Sequence, residues 1–330
     1  MALVARLLGT GDIALFVLAV VALVPLAWVI GEATEQVGEY TGPAIAGLLN
    51  ASFGNAPELV IALFAVEAGL TDVVRGSLVG SVIGNLLLVL GCSLAAGGRG
   101  VVERRTVFGS VGMVGLAVAL FGISTGLAYG PDGRGASLST FAVVAAAVLL
   151  TIYAVTTVRS VLRERKEHRA SGEESNARWS LPKAVVTLGL ATAATVGVSE
   201  VLTGSIEGFA ASAGLSDIFV AAVIVAIAGN AAEHGGAVVI AFRGDVRLAS
   251  EIGLQSSAQV AVGLIPAVVL LSLAISPLPL VFGPIEFLGL AVATVMPALL
   301  LFRGQSSRWR GLGLCAAYAG VVVAFLLAAG

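Results

Sequence analysis

The chain has 330 residues, of which 58% are hydrophobic and only 12% are charged, and its formal net charge is −2. A soluble domain would carry roughly a quarter charged residues, so this composition and the mean hydropathy of +1.03 exclude an ordinary soluble protein. No basic patch with interleaved aromatic residues indicates nucleic-acid binding. No nucleophile–base pair or phosphate-binding loop outside the apolar runs indicates an enzyme.

Ten apolar stretches follow one another along the chain. In order they cover residues 12–30, 42–69, 73–96, 107–129, 137–161, 181–202, 215–242, 248–275, 282–301 and 311–329. A helix needs about 20 apolar residues to cross the ~30 Å hydrocarbon core of a bilayer. The predicted fold class is therefore all-α, a polytopic membrane protein with about ten transmembrane helices.

The positions of Lys and Arg predict the orientation of these spans. Most of the 18 basic residues fall in alternate loops, including the polar stretch 163–180. Cytoplasmic loops are enriched in Lys and Arg, so these loops are predicted to be cytoplasmic and both termini to lie outside. The sequence thus predicts a multi-pass integral protein of a prokaryotic cell (inner) membrane.

The stretch 163–180 is the one clear linker, and it separates two halves, residues 1–162 and 181–330, with five spans each. Because five is odd, the second half enters the membrane from the side opposite to the first. The halves are therefore predicted to be inverted repeats, which is a transporter arrangement. Both a solvated connector and a regulatory cation-binding segment remain open for the linker itself.

A near-repeat of one short phrase marks the second span of each half. Residues 54–58 read Gly-Asn-Ala-Pro-Glu, and residues 229–233 read Gly-Asn-Ala-Ala-Glu. The phrases place Glu58 and Glu233 inside apolar stretches, where an ionisable group costs at least ~2.5–3.5 kcal/mol. Two such groups in matching contexts predict one ion site built from both repeats.

Helix hairpins add polar residues at the depth of the two glutamates. Asn85 lies about as far after a tight polar turn as Glu58 lies before it, and Gln259 is related to Glu233 in the same way. About thirteen residues with a rise of 1.5 Å each put this layer ~20 Å from the turn, near the middle of the bilayer. Because the halves are inverted, the two hairpins are predicted to reach the layer from opposite faces.

Neighbouring side chains fit a cage of oxygen atoms. An asparagine stands three residues before each glutamate and therefore shares its helix face, and hydroxyl groups accompany the later amides. The predicted cation- and proton-binding residues are Glu58, Glu233, Asn55, Asn230, Asn85, Gln259, Ser81 and Ser256, with Glu58 and Glu233 as the metal-binding carboxylates. His234 projects from a different helix face, and its sequence context fits a hydrogen-bonded core imidazole and a proton relay equally well.

The ligand set indicates a hard cation such as Ca²⁺, which accepts 6–8 oxygen ligands. Two carboxylates buried close together cannot both stay ionised when the site is empty, because desolvation and mutual repulsion favour their protonated forms. Protons and the cation therefore compete for the same oxygens, which is what exchange across a membrane requires. Ca²⁺ and H⁺ are predicted as transported substrates within a lipid bilayer, and no cofactor is predicted.

The segments that carry these residues resemble the calcium/proton exchanger (CAX-type) family of the calcium/cation antiporter superfamily. They are GLLNASFGNAPEL at 47–59, GSLVGS at 76–81, NLLLVLG at 85–91, GNAAEH at 229–234 and SSAQ at 256–259. They look like that family's two α-repeats, and the Glu-His ending at 233–234 separates it from the sodium/calcium exchangers. The resemblance implies Ca²⁺/H⁺ antiport by alternating access, with Glu58 and Glu233 in a shared site.

Two other functions remain open from the residues. One is an antiporter for another cation pair, Mn²⁺/H⁺ or Na⁺/Ca²⁺. The other is a cation channel, which is less favoured because channels usually select ions with rings of carbonyls or charges around a pore. The oligomeric state is also open.

Overall fold

The computed structural model describes residues 11–41, 49, 52–128, 135–171, 177–278 and 280–328, and these are almost entirely helical. The elements of the first half are α1 (Asp12–Thr41), α2 (Ala56–Glu67), α3 (Thr71–Ile83), a π-helical segment (Gly84–Val89), α4 (Leu90–Gly97), β1 (Gly100–Val101), α5 (Arg104–Ala128) and α6 (Gly135–Ser171). Those of the second half are α7 (Leu181–Ala213), α8 (Asp217–Phe219), a π-helical segment (Val220–Val225), α9 (Ala226–Gly229), α10 (Ala231–Phe242), α11 (Val246–Gln259), a π-helical segment (Val260–Leu264), α12 (Ile265–Ser272), α13 (Pro284–Leu301), β2 (Gln305–Ser306) and α14 (Arg308–Leu327).

The predicted class, an all-α polytopic membrane protein, is confirmed. Within the described residues, eight helices are long and apolar enough to cross a membrane. A ninth span results if the bent pair Asp217–Gly229 and Glu233–Phe242 is one span. The remaining predicted span, 42–69, begins in residues outside the described part of the chain, and α2 is its described portion.

The second and third spans of the two halves share two irregularities of the backbone. In each, the second helix restarts after an asparagine with a nearly identical backbone conformation, φ −100° and ψ 18° at Asn55, φ −92° and ψ 11° at Asn230. In each, the third helix contains a π-helical segment, Gly84–Val89 or Val260–Leu264. Such segments are rare in helices and occur frequently at functional sites. Both irregularities therefore fall where the sequence predicts the ion site.

The third helix of each half forms the centre of the molecule. In an apolar 18-residue stretch of each helix, 83% of Thr71–Gly97 and 72% of Val246–Ser272 is buried, whereas the same share lies between 22% and 39% in the other six long helices. A bilayer hides the apolar surface that these outer helices expose. Polar groups in the middle of these two helices, such as Ser81, Asn85 and Ser256, are buried within the protein.

Some helices extend further than the apolar runs predict. The sixth span was predicted to end at residue 202, but α7 continues to Ala213 and ends at Gly214, whose left-handed conformation (φ 65°) is a common helix C-terminus. The fifth helix, α6, likewise continues to Ser171, into the predicted linker 163–180. Hydropathy marks the bilayer thickness, whereas the helix ends where the backbone hydrogen bonding ends, so helix and apolar run need not coincide. Residues 172–176 of the linker lie outside the described part.

A short antiparallel ribbon joins the halves at one end of the bundle. β1 pairs with β2 through Gly100 opposite Ser306 and Val101 opposite Gln305. The Ser306 hydroxyl also donates to the Gly98 carbonyl at 2.7 Å. The loop after the third span of the first half is thereby fixed to the loop between the last two spans.

Candidate cation site

The two glutamates stand in the first turns of helices that begin at the matching breaks. Glu58 lies in the first turn of α2, and Glu233 lies in the first turn of α10. In the second half, α8–α9 and the following helix meet at an angle of 60°. The positive end of a helix dipole favours negative charge, so each break offers its carboxylate a partial compensation for burial.

A chain of hydrogen bonds connects Glu233 with the two central helices. The Ser256 hydroxyl on α11 makes a short hydrogen bond to Oε2 of Glu233. The same hydroxyl accepts a hydrogen bond of 3.0 Å from Nδ2 of Asn85, in the π-helical segment of the first half. Oδ1 of Asn85 lies 3.1 Å from Nε2 of His234. Glu233 and its neighbour His234 are thus joined through side chains of both halves.

A second cross-half contact involves the asparagine of the second phrase. Nδ2 of Asn230 donates to the Ser81 hydroxyl of α3 at 3.0 Å and to the Ala226 carbonyl at 3.0 Å. From the sequence, Ser81 lies one helical turn before Asn85 and is expected to accompany it. In the structure, the hydroxyl of Ser81 instead accepts a hydrogen bond from Asn230 of the other half. Helical spacing shows which residues share a face but not which helix that face meets.

Four buried oxygens of the site have no hydrogen-bond partner among the described residues. They are Oε1 and Oε2 of Glu58, Oδ1 of Asn55 and Oδ1 of Asn230. All three residues are buried. Native proteins satisfy most buried polar atoms, and an unsatisfied one costs roughly 1–3 kcal/mol, more if it is charged. Four acceptors without donors are suited to a ligand that supplies positive charge.

The carboxyl group of Glu58 reaches the break of the other half. A Cβ atom built on Gly229 would lie 3.3 Å from Cδ of Glu58, so the glycine leaves room for the carboxylate beside the second phrase. The two halves of the predicted ion site therefore meet in one place.

Asn55, Glu58 and Gln259 make no side-chain hydrogen bond to the other predicted site residues in the described part of the chain, and of the three, Gln259 is the one without an unpartnered buried oxygen. It is half-buried at the end of α11, and within the described residues its side chain makes no hydrogen bond to the site. Ser256, one turn earlier, makes the contact with Glu233 instead. The symmetry of the hairpin predicts how deep Gln259 lies in the membrane. It does not predict the direction in which the side chain points around the helix axis.

The donor set is rich in neutral oxygen. Among the described residues, no three or more His, Cys, Asp or Glu side chains are grouped as they would be around a tightly held metal ion. Two carboxylates with amide and hydroxyl oxygens fit a hard cation, and fewer charged ligands give weaker binding. The arrangement therefore suits a cation that is bound reversibly.

Comparisons with known proteins agree with this architecture. The family model described as sodium/calcium exchanger protein matches residues 12–162 and 183–327. The Ca²⁺/H⁺ antiporter of Synechocystis sp. is 34% identical over 97% of this chain and 93% of its own. The Ca²⁺/H⁺ antiporter ChaA of Bacillus subtilis is 33% identical over 95% and 92%. The solved structure of native YfkE superimposes with a TM-score of 0.85 at 31% identity, covering 99% of this chain and 96% of that one.

Proposed function

The chain belongs to the sodium/calcium exchanger protein family, and from this premise we propose that it exchanges Ca²⁺ for protons across a membrane by alternating access. Relatives named Ca²⁺/H⁺ antiporters match it over nearly their full length. The direction that follows is export of Ca²⁺ from the cytoplasm, driven by protons that enter. The proposed location is a prokaryotic cell (inner) membrane with both termini outside, and the proposed repeats are residues 1–162 and 181–330 around the linker.

The observation that carries the proposal is the group of four unpartnered oxygens on Glu58, Asn55 and Asn230. Ca²⁺ binds carboxylate and amide oxygens at about 2.3–2.6 Å in flexible geometry, and these oxygens are of those two kinds. Glu233 supplies the second carboxylate. Asn85, Ser81 and Ser256 hold the surrounding side chains in place through two hydrogen bonds between the halves and one, from Ser256 to Glu233, within the second half.

Proton coupling follows from the burial of both carboxylates. When Ca²⁺ leaves, two like charges would remain in a site without bulk water, and taking up protons neutralises them. When Ca²⁺ returns, it displaces those protons. Ca²⁺ and protons therefore do not occupy the glutamates together, and each crossing of the membrane carries one or the other.

The proposal is tested by Ca²⁺ uptake into proteoliposomes under an imposed pH step. We expect saturable uptake that depends on the pH gradient in the wild type and is lost in Glu58→Gln and Glu233→Gln, because the amide cannot exchange a proton. Glu251→Gln, which changes a carboxylate paired with Arg247 on the surface, is the matched control and should transport normally.

Two results would contradict the proposal. One is full activity in either site variant, and the other is flux that is indifferent to the pH gradient. Parallel runs with Mn²⁺, and with a Na⁺ gradient in place of the proton gradient, distinguish the other cation pairs. Flux that rises linearly with Ca²⁺ concentration without saturation would indicate a channel.

A further inference from the structure

Helices α4 and α14 cross at unusually close range, and the crossing joins the first half of the chain to the second. A Cβ atom built on Gly311 would overlap the backbone of Ala95 and the carbonyl of Gly91. A Cβ atom built on Gly91 would lie 2.8 Å from Sγ of Cys315 and 3.0 Å from its backbone nitrogen. Glycines at such positions allow two helix backbones in a membrane to approach each other directly.

This crossing brings together the only two cysteines of the chain. Both Cys92 and Cys315 are free thiols, and their sulfur atoms lie 3.8 Å apart. A disulfide requires about 2.05 Å, so each sulfur has to move by only about 1 Å. Both residues are half-buried, so neither thiol is fully enclosed by the protein.

We propose that Cys92 and Cys315 are a redox modification site, at which a peroxide-class oxidant forms a reversible intramolecular disulfide between α4 and α14. α4 continues directly from the π-helical segment that carries Asn85. The disulfide would therefore fix the helix of a site residue to the last helix of the other half. The inference rests on the contact between the thiols and does not depend on the transported ion.

The chemistry balances with one equivalent of hydrogen peroxide. One thiol gives up its proton and its sulfur attacks the peroxide; the O–O bond breaks, one oxygen stays on the sulfur as a sulfenic acid, and the other leaves with the thiol proton as water. The second sulfur then attacks the sulfenic sulfur, the S–S bond forms, and the hydroxyl leaves as a second water with the remaining thiol proton. Two thiols are oxidised by two electrons, and the peroxide is reduced to two waters. A dithiol reverses the reaction by thiol–disulfide exchange.

The test is treatment of the purified full chain in detergent micelles with hydrogen peroxide, followed by denaturation and maleimide labelling. We expect loss of both thiols, a mass lower by about 2 Da in the intact chain, and one cross-linked peptide pair containing Cys92 and Cys315. Dithiothreitol should restore both thiols. Cys92→Ser and Cys315→Ser, each with one remaining thiol, should give no internal cross-link.

A matched pair of glycine variants tests the geometry. Gly311→Ala separates the helices and should reduce the rate of cross-linking. Gly313→Ala lies on the same helix, where the added methyl group meets only the end of the Leu300 side chain at 3.5 Å, and should leave the rate unchanged. The proposal is overturned if both wild-type thiols remain reactive to maleimide, or if they are converted to sulfinic and sulfonic acids without a cross-link. The cysteine variants decide this even if Gly311→Ala does not fold.

Discussion

Arg75 joins the two halves near the start of the central helix α3, and its removal tests how much a buried ion pair contributes to the stability of this fold. Nε of Arg75, on α3, lies 3.3 Å from Oε1 of Glu286 in the first turn of α13. Its other nitrogens contact Asp72 at 3.0 Å and the Val281 carbonyl at 3.0 Å. The side chain of Glu286 is 0% exposed and that of Arg75 is 22% exposed. Arg75→Ala would therefore leave a carboxylate that water cannot reach.

The expected magnitude follows from that burial. Removing one partner of a buried ion pair costs about 3–5 kcal/mol, because the remaining charge is uncompensated. Arg75 is partly exposed, so we expect the lower end, about 3 kcal/mol, which is on the order of a 100-fold change in the unfolding equilibrium. Replacing the stranded carboxylate as well, in Arg75→Ala/Glu286→Gln, removes the uncompensated charge and should recover part of the loss.

The assay is equilibrium unfolding by SDS in mixed micelles, followed by tryptophan fluorescence. The chain offers a matched control in Arg247, which also bridges two carboxylates, Glu103 at 2.9 Å and Glu251 at 3.0 Å, but is 64% exposed. Exposed ion pairs contribute little, so Arg247→Ala should leave the unfolding midpoint almost unchanged. The reasoning is refuted if the two arginine variants lose equal stability, or if the second substitution at Glu286 increases the damage.

Further predictions concern the site and the close contact between α3 and the π-helical segment Val220–Val225. Asn85→Ala should weaken Ca²⁺ binding, measured by isothermal titration, more than Gln259→Ala does, because only Asn85 bonds to other site residues; equal effects would contradict this. Gly80→Ala should abolish folding or transport, because its new methyl group would overlap the backbone of Ala222, whereas Gly84→Ala meets nothing within 4 Å and should retain both. The apparent affinity for Ca²⁺ should increase as pH rises, up to tenfold per pH unit for each displaced proton; binding that does not change between pH 6 and 9 would exclude competition with protons.

The sequence predicts well what depends on one segment alone. Apolar runs give the spans, and the glycine and asparagine of each phrase mark where the second helix is interrupted. Helix ends are predicted less well, because α7 continues past its apolar run until Gly214 ends it. The tight turn of each helix hairpin contains a glycine with positive φ, Gly69 (+74°) in the first half and Gly244 (+100°) in the second. The polar turns predicted from the sequence lie within a few residues of these glycines.

The sequence does not predict contacts between segments distant along the chain. Ser81 bonds to Asn230 of the other half, and Gln259 makes no bond to the site, because rotation about a helix axis is set by packing against partners. Glu286 shows the same limit. Its position near the end of a span suggests an interfacial charge, yet it is completely buried against an arginine of the other half. No local pattern identifies that partner.

The unequal hydrogen bonding of the two glutamates has a consequence for the state that the structure shows. Glu233 is bonded to Ser256, 23 residues later, whereas Glu58 has no partner among the described residues, although Ser81 stands at the same spacing from it. The alternating access proposed above moves one inverted repeat against the other around the site. In the oppositely open form we therefore expect the roles to be exchanged, with Ser81 donating to Glu58 and Glu233 released. A structure of that form with Glu58 still unpartnered would rule this out. The difference in hydrogen bonding between Glu58 and Glu233 would then indicate to which side of the membrane the site is open.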